Sequence, residues 1–303
     1  MHDIIIIGAG PAGLTAAIYA LRANKTVLIL EKNSFGGQMT FSPKIENYPG
    51  FLSVSGSELA DSLVEQALAQ GADVEIEEVE KIEVLEDGLK KVTTDSGEHT
   101  AKAVIVATGA KHRLLGVPGE IDLIGNGISF CAVCDGAFHA GKNIAVIGGG
   151  NSALQEAILL ADLCESVTVI QNLDNFTGES RLVDALMAKP NVKAIFGTVV
   201  SEFLSENGEL TGLVAKNVAD RSETKMDFEG VFVAIGLAPD TEIAEGLAER
   251  DRFGYIVSDE KCLTSTDGLF VAGDCRQKGV RQIATAIADG ATSALAAIAY
   301  LDR

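Results

Sequence analysis

The feature that most narrows what this chain can fold into is a glycine pattern met twice in the same local setting. Near the start, the apolar run DIIII breaks at Gly8 into Gly8-x-Gly10-x-x-Gly13. A helical stretch, LTAAIYALRAN, follows, and then a second apolar run, TVLILE, ending in Glu31. Glycines at this spacing allow a tight strand-to-helix turn and let backbone approach a pyrophosphate at the helix N-terminus. An acid closing the second strand can take ribose hydroxyls. Residues 3–31 therefore read as a complete dinucleotide-binding βαβ unit. The same grammar returns as NIAVIG, Gly148-x-Gly150-x-x-Ala153, a helix to about Asp162 and the strand SVTVIQ.

Two further strand-and-glycine segments echo each other, VIVATG at 104–109 and VFVAIG at 231–236, each closing one cradle's domain. After about residue 243 the chain returns to the first domain, because GLFVAGDC at 268–275 is another buried strand ending in an acid, with a helix from near Arg281. The expected fold is α/β, with two Rossmann-like, three-layer ββα dinucleotide-binding domains, the second inserted in the first. The first would comprise residues 1–115 and 243–303, the inserted one 116–242. Asp274, at a strand's C-terminal end, falls in the ligand crevice of an open sheet and reads either as a contact to a cofactor's sugar-alcohol chain or as a helix N-cap.

Charge and composition exclude several classes. A net charge of −19 and a pI near 4.6 leave no basic stripe for phosphates, which argues against nucleic acid as a partner. The opening MHDIIIIGAGPAG reads as a first strand, not a signal segment. The late apolar segment IATAIADGATSALAAIAY is interrupted by Asp289 and Gly290, which suits a packed helix better than a membrane span. A cytoplasmic location is the default expectation. There are 5 cysteines: Cys131 and Cys134 are paired by spacing, while Cys164, Cys262 and Cys275 stand apart. That count points to a reducing compartment and a working dithiol.

The dithiol lies in FCAVCDG. A zinc half-site is the alternative, but there is no second pair, and His2, His99, His112 and His139 supply no spaced partner motif, so no metal is expected. With Asp135 directly after Cys134, the pair suits thiol–disulfide exchange, in which a thiolate attacks and an acid/base group manages the proton. Asp135 also reads as a plain turn residue before Gly136.

Taken in order, GAGPAG, the GGQ of Gly36 to Gln38, ENYPG, ATGA, CAVCDG, GGGNSA, AGD and RQIATAIADGA resemble the low-molecular-weight thioredoxin reductase family over nearly the whole chain. The resemblance implies one FAD per subunit, thioredoxin as the partner reduced, a homodimer, and a hinge rotation presenting the dithiol alternately to flavin and thioredoxin. Carried over by motif, the FAD contacts fall on Gly8, Gly10, Pro11, Ala12, Gly13, Glu31, Gly37, Gln38, Asn47, Thr108, Gly109, Gly273, Asp274, Arg281, Gln282 and Ile283. The catalytic group is Cys131, Cys134 and Asp135, with Cys134 facing the flavin and Cys131 attacking.

One departure matters. Members that use NADPH end the second strand of the inserted domain in a stretch like HRRDxFRA; here Gln171, Asn172 and Leu173 replace His-Arg-Arg, and Thr177-Gly178 replaces Arg-Ala. A 2′-phosphate wants forked, charge-assisted donors, which these residues lack, and NADH would want an acid near Gln171. NADPH is therefore not expected. The chain is most like the ferredoxin-dependent flavin thioredoxin reductases, with reduced ferredoxin as donor. An atypical NADPH or NADH site, or a donor not yet identified, is the alternative. A flavin ferredoxin–NADP reductase is doubly contradicted, and a non-catalytic flavin binder has no reason to keep FCAVCDG. Because ferredoxins are usually acidic and so is this chain, docking should use a local basic patch, either Arg276, Lys278 and Arg281 or Lys111, His112 and Arg113.

Overall fold

The computed structural model describes residues 1–42 and 45–303. The chain divides into two compact units, one built from Met1–Lys111 and Ala238–Arg303 and the other from His112–Leu237.

The first unit contains strands β1 (His2–Ile7), β2 (Val27–Glu31), β3 (Asp73–Ile76), β4 (Val79–Val84), β5 (Lys90–Thr94) and β6 (Glu98–Val106), and helices α1 (Pro11–Arg22) and α2 (Gly56–Ala69). They form a sheet in the order β3-β2-β1-β6-β5-β4. Pairing is parallel through β1, β2, β3 and β6, and antiparallel at the β4-β5-β6 end. The run of isoleucines is explained by double burial, since a strand covered on both faces has no polar positions. Ile4 and Ile6 join the cluster built with Ala16, Ala20, Ala294 and Ala297, whereas Ile5 and Ile7 face Ile82, Val92 and Ile256. Side chains alternate across the pleat, so one strand serves two cores.

The chain leaves this unit through β7 (Ala110–His112). The second unit holds β8 (Ile128–Ser129), helix α3 (Ala132–Asp135), β9 (Asn143–Ile147), α4 (Asn151–Ala161), β10 (Ser166–Ile170), α5 (Ser180–Met187), β11 (Val192–Ile195), β12 (Thr198–Glu206), β13 (Glu209–Asn217), β14 (Glu223–Asp227) and β15 (Gly230–Val233). A parallel sheet in the order β11-β10-β9-β15-β8 forms the middle layer. On one face it packs Ile144, Val146 and Phe232 against Leu154, Ala157 and Leu160. On the other, Ala145, Ile147, Val231 and Val233 meet Val200, Phe203 and Leu213 of the antiparallel β12-β13-β14 meander. These are the three layers of a ββα dinucleotide-binding fold, and the meander is the element the sequence reading did not locate.

The chain re-enters the first unit through β16 (Leu237–Pro239). β17 (Leu269–Val271) then adds to β6 in parallel, and α6 (Ile283–Leu301) follows. By length and composition alone α6 could cross a membrane. One face of it packs on α1: its Ala286, Gly290, Ala294 and Ala297 are buried, and a Cβ at Gly290 would stand 2.2 Å from the Ala12 carbonyl oxygen.

Candidate functional site

The first cradle sits where β1 hands over to α1. Gly10 is the N-cap of α1 with no side-chain cap, leaving first-turn amides without an intrahelical partner, and Pro11 takes the first helical position. A Cβ at Gly10 would meet nothing within 4 Å, while one at Gly13 would stand 1.9 Å from the Gly8 carbonyl oxygen. Gly10 keeps space open above the turn; Gly13 lets the helix close onto the strand. Ala12, in the same first turn, is buried.

Glu31, at the end of β2, accepts the Ala9 amide at 2.8 Å and the Asn33 amide at 3.0 Å. Both carboxylate oxygens are thereby oriented and keep lone pairs for hydroxyl donors. A cavity of about 410 Å³, counting the open solvent at its mouth, is lined by Ile7, Gly8, Glu31, Val79, Thr108 and Asp240 among others. Thr108 Oγ1 donates to the Asp240 carbonyl, and Gly109 follows with φ +73°. The GGQ segment folds back on the cradle, with the Gly36 amide on the Ala9 carbonyl at 2.8 Å; Gly37 opens a short 3-10 turn and Gln38 is exposed.

A second group of expected cofactor residues gathers at the start of α6. Gln282 is its N-cap and Ile283 its first residue; Asn47 Nδ2 donates to Gln282 Oε1 at 3.2 Å. Arg281 donates to the Asp274 carbonyl at 3.4 Å and lies 3.9 Å above the Tyr255 ring. Asp274 belongs to the 3-10 turn Gly273–Cys275 and is not the N-cap of α6. Its Oδ1 is buried and faces the Lys278 ammonium 3.2 Å away as an ion pair. Burial pushes this carboxyl up despite Lys278 and Arg281. The open turn at Gly10, the oriented Glu31 and the underused Asp274 fit, in order, the pyrophosphate, the ribose and the sugar-alcohol chain of FAD.

The first of the two docking patches needs correction. Arg276 grips Asp289 through Nε at 3.3 Å and Nη2 at 3.0 Å, and Lys278 bonds the same carboxylate at 2.9 Å with its side chain 8% exposed. Asp289 in turn accepts the Gly273 amide at 3.2 Å. Arg276 and Lys278 are thus tied into an internal ion-pair network holding the Gly273 turn, and cannot meet an acidic surface. Sequence reading cannot separate a buried basic residue from a free one until its partner in another segment is in place.

In the second unit Cys131 is the N-cap of α3 and is joined to Cys134 as a disulfide, with Cα atoms 5.3 Å apart. The Cys134 amide donates to Cys131 Sγ at 3.2 Å. Ser129 Oγ accepts the Cys131 amide at 3.1 Å and donates to Asp135 Oδ2 at 2.6 Å, so hydrogen bonds run from the carboxyl to the backbone of the first cysteine. Asp135 Oδ1 is buried without a partner. Burial raises this carboxyl, with the Ser129 hydroxyl working against it. The arrangement is suited to proton handling beside a disulfide. Val133, between the cysteines, is 61% exposed, so a partner can approach the disulfide from that side. Cys164, Cys262 and Cys275 are buried free thiols, and burial raises all three.

The second cradle is geometrically sound but covered at its edge. Gln171, the counterpart of Glu31, is 4% exposed. Its amide donates to the Asn175 carbonyl at 3.2 Å, and its oxygen accepts the Asn172 amide at 3.2 Å. The amides of Thr177 and Gly178 both bond the Gly149 carbonyl, at 2.8 and 3.1 Å. Asn151, first in α4, and Glu179 hold each other through two hydrogen bonds, of 2.7 and 3.0 Å. A carboxylate thus stands beside the first turn of α4, where a nucleotide would bring negative charge of its own. Ser129 and Glu179 carry no signal of their own in the sequence, because polar residues beside a motif look like ordinary turn residues.

Residues 2–290 match the family described as pyridine nucleotide-disulphide oxidoreductase. A 34.2 kDa protein in the rubredoxin operon of Clostridium pasteurianum is 41% identical over 300 residues, covering 99% of this chain and 97% of that one. The thioredoxin reductase of Treponema pallidum is 40% identical over 302 residues, covering 99% and 97%. Among solved structures, the thioredoxin reductase of Streptococcus pyogenes superposes with a TM-score of 0.95 at 41% identity, covering 100% of this chain and 98% of that one.

Proposed function

The chain belongs to the pyridine nucleotide-disulphide oxidoreductases, and among them to the low-molecular-weight thioredoxin reductases, and from that premise we propose that its electrons come from reduced ferredoxin rather than NADPH. It is a thioredoxin reductase-type flavoprotein disulfide reductase. Bound FAD would supply the conversion between single-electron and electron-pair transfer.

The protein's own residues hold the exchange chemistry. Reducing the Cys131–Cys134 disulfide takes two electrons and two protons. The Cys131 thiolate then attacks a thioredoxin disulfide sulfur and forms a mixed disulfide. Cys134 attacks Cys131 Sγ, which releases the thioredoxin dithiol and restores the intramolecular disulfide. Asp135, linked through Ser129 to the Cys131 backbone, supplies and recovers the proton at the leaving thiolate. The working form in this reading is a cytoplasmic homodimer.

The observation that carries the donor assignment is Gln171. At the position that grips the nucleotide's ribose, its donor and acceptor are both engaged by its own loop, and residues 171–178 contain no arginine or lysine. Thermodynamics permits the alternative donor: a ferredoxin near −400 mV lies roughly 130 mV below thioredoxin's approximate −270 mV, about 6 kcal/mol for two electrons. One observation favours a pyridine nucleotide instead. A Cβ at Gly150 would find Thr177 Oγ1 no closer than 3.9 Å, so the turn itself stays open to a pyrophosphate. Equilibrium titration separates the two readings: with ferredoxin as donor, NADPH and NADH at up to millimolar concentration leave the protein's fluorescence and melting temperature unmoved. Saturable micromolar binding of either nucleotide, with turnover, returns the chain to the nucleotide-dependent reductases.

A further inference from the structure

Behind the disulfide, on the helix that opens at the second glycine cradle, stands a carboxyl that the exchange chemistry does not use. α4 turns Ala153, Ala157 and Leu160 toward α3: Ala132 packs in their cluster, and a Cβ at Gly136 would stand 3.1 Å from Leu160 Cδ2. Glu156 lies three residues after Ala153 and four before Leu160, on the same stripe. Its Oε2 is buried with no hydrogen-bond partner, on the helix that packs against the turn opened by Cys131. A leucine would complete this stripe without an orphaned oxygen.

We propose that Glu156 is a positioning residue of the redox dithiol, a buried carboxyl on the helix packed against the turn between the two cysteines, whose ionisation opposes that of Cys131. Burial pushes Glu156 up to about 7, with the Ala132 amide opposing it. On the elements packed against α4, the charged or titratable side chains are Asp135 and, once reduced, Cys134 on α3, and Arg181 and Asp184 on α5; β9 and β10 carry none. Two like charges on elements packed together titrate as a coupled pair. While Glu156 is a carboxylate, ionising the Cys131 thiol would set a second negative charge beside the first, so the thiol releases its proton to solvent only at higher pH, and no electrons move. Glu156 thus sets the fraction of attacking thiolate at a given pH.

This rests on reading Cys131 as the attacking thiol, and the test separates the two. In the full-length flavoprotein carrying Cys134→Ser, the pH profile of Cys131 alkylation by iodoacetamide is read by mass spectrometry of the Cys131 peptide, with and without Glu156→Gln. The expected result is a thiol midpoint about one pH unit lower with Gln, hence roughly tenfold faster alkylation below the midpoint, at unchanged flavin content. Superimposable profiles would overturn the proposal. Should the Gln variant not fold, Glu156→Leu replaces it and is judged by the same shift. A shifted midpoint in a protein that forms no mixed disulfide with thioredoxin would refute the exchange reading and leave the coupling standing.

Discussion

Replacing Glu156 by Gln should make the protein more stable above neutral pH, and the size of the effect follows from its surroundings. Burial raises this carboxyl from 4.5 to about 7. The folded-state value lies above the unfolded one, so the contribution is fully present below about pH 4.5 and is lost as pH rises through about 7. At about 1.36 kcal/mol per pH unit, a difference of roughly 2.5 units amounts to about 3 kcal/mol. A neutral Gln of the same shape carries no such penalty, so the stability difference between variant and parent should grow by about 3 kcal/mol from pH 4 to pH 8. The assay is urea unfolding of both holoproteins at matched flavin content across that range, followed by circular dichroism. Taking the difference cancels the titration of groups common to both. Parallel stability curves would refute the reasoning, because they would show that Glu156 ionises in the fold as readily as in the unfolded chain.

Further consequences can be checked separately. Cys134→Ser should accumulate a covalent adduct with thioredoxin through Cys131, whereas Cys131→Ser should accumulate none; intact mass spectrometry distinguishes them. Asp135→Asn removes the proton donor while keeping the Ser129 contact, and should slow thioredoxin reduction by about 10²–10⁴-fold at unchanged flavin content; a loss under threefold would remove Asp135 from proton transfer. Gly13→Ala drives a Cβ to 1.9 Å from the Gly8 carbonyl oxygen, so the cradle must open. It should cost about 1–3 kcal/mol and strip FAD from the purified protein, as read from its visible absorbance.

What the sequence made legible was everything written in local spacing. The strand, glycine turn, helix and acid of residues 3–31 appear where their periodicity puts them, and the second cradle repeats all but the acid, because each such unit is specified by contiguous residues. What escaped depended on partners distant along the chain. Arg276 and Lys278 look like free cations until α6 brings Asp289 against them. Glu156 looks like a polar position of an amphipathic helix until α3 covers it. The loss of arginines after β10 was visible in sequence, but the engagement of Gln171 by Asn172 and Asn175 was not, since a side-chain amide's choice of partner is settled only when the loop has folded.

The central claim concerns the source of electrons, and one measurement meets it directly. The oxidised flavoprotein is mixed anaerobically with NADPH, with NADH and with reduced ferredoxin, and flavin bleaching is followed together with the appearance of thioredoxin thiols. The account predicts bleaching and thioredoxin reduction with ferredoxin alone. Rapid bleaching by either nucleotide at micromolar concentration, with thioredoxin reduced in step, would contradict it.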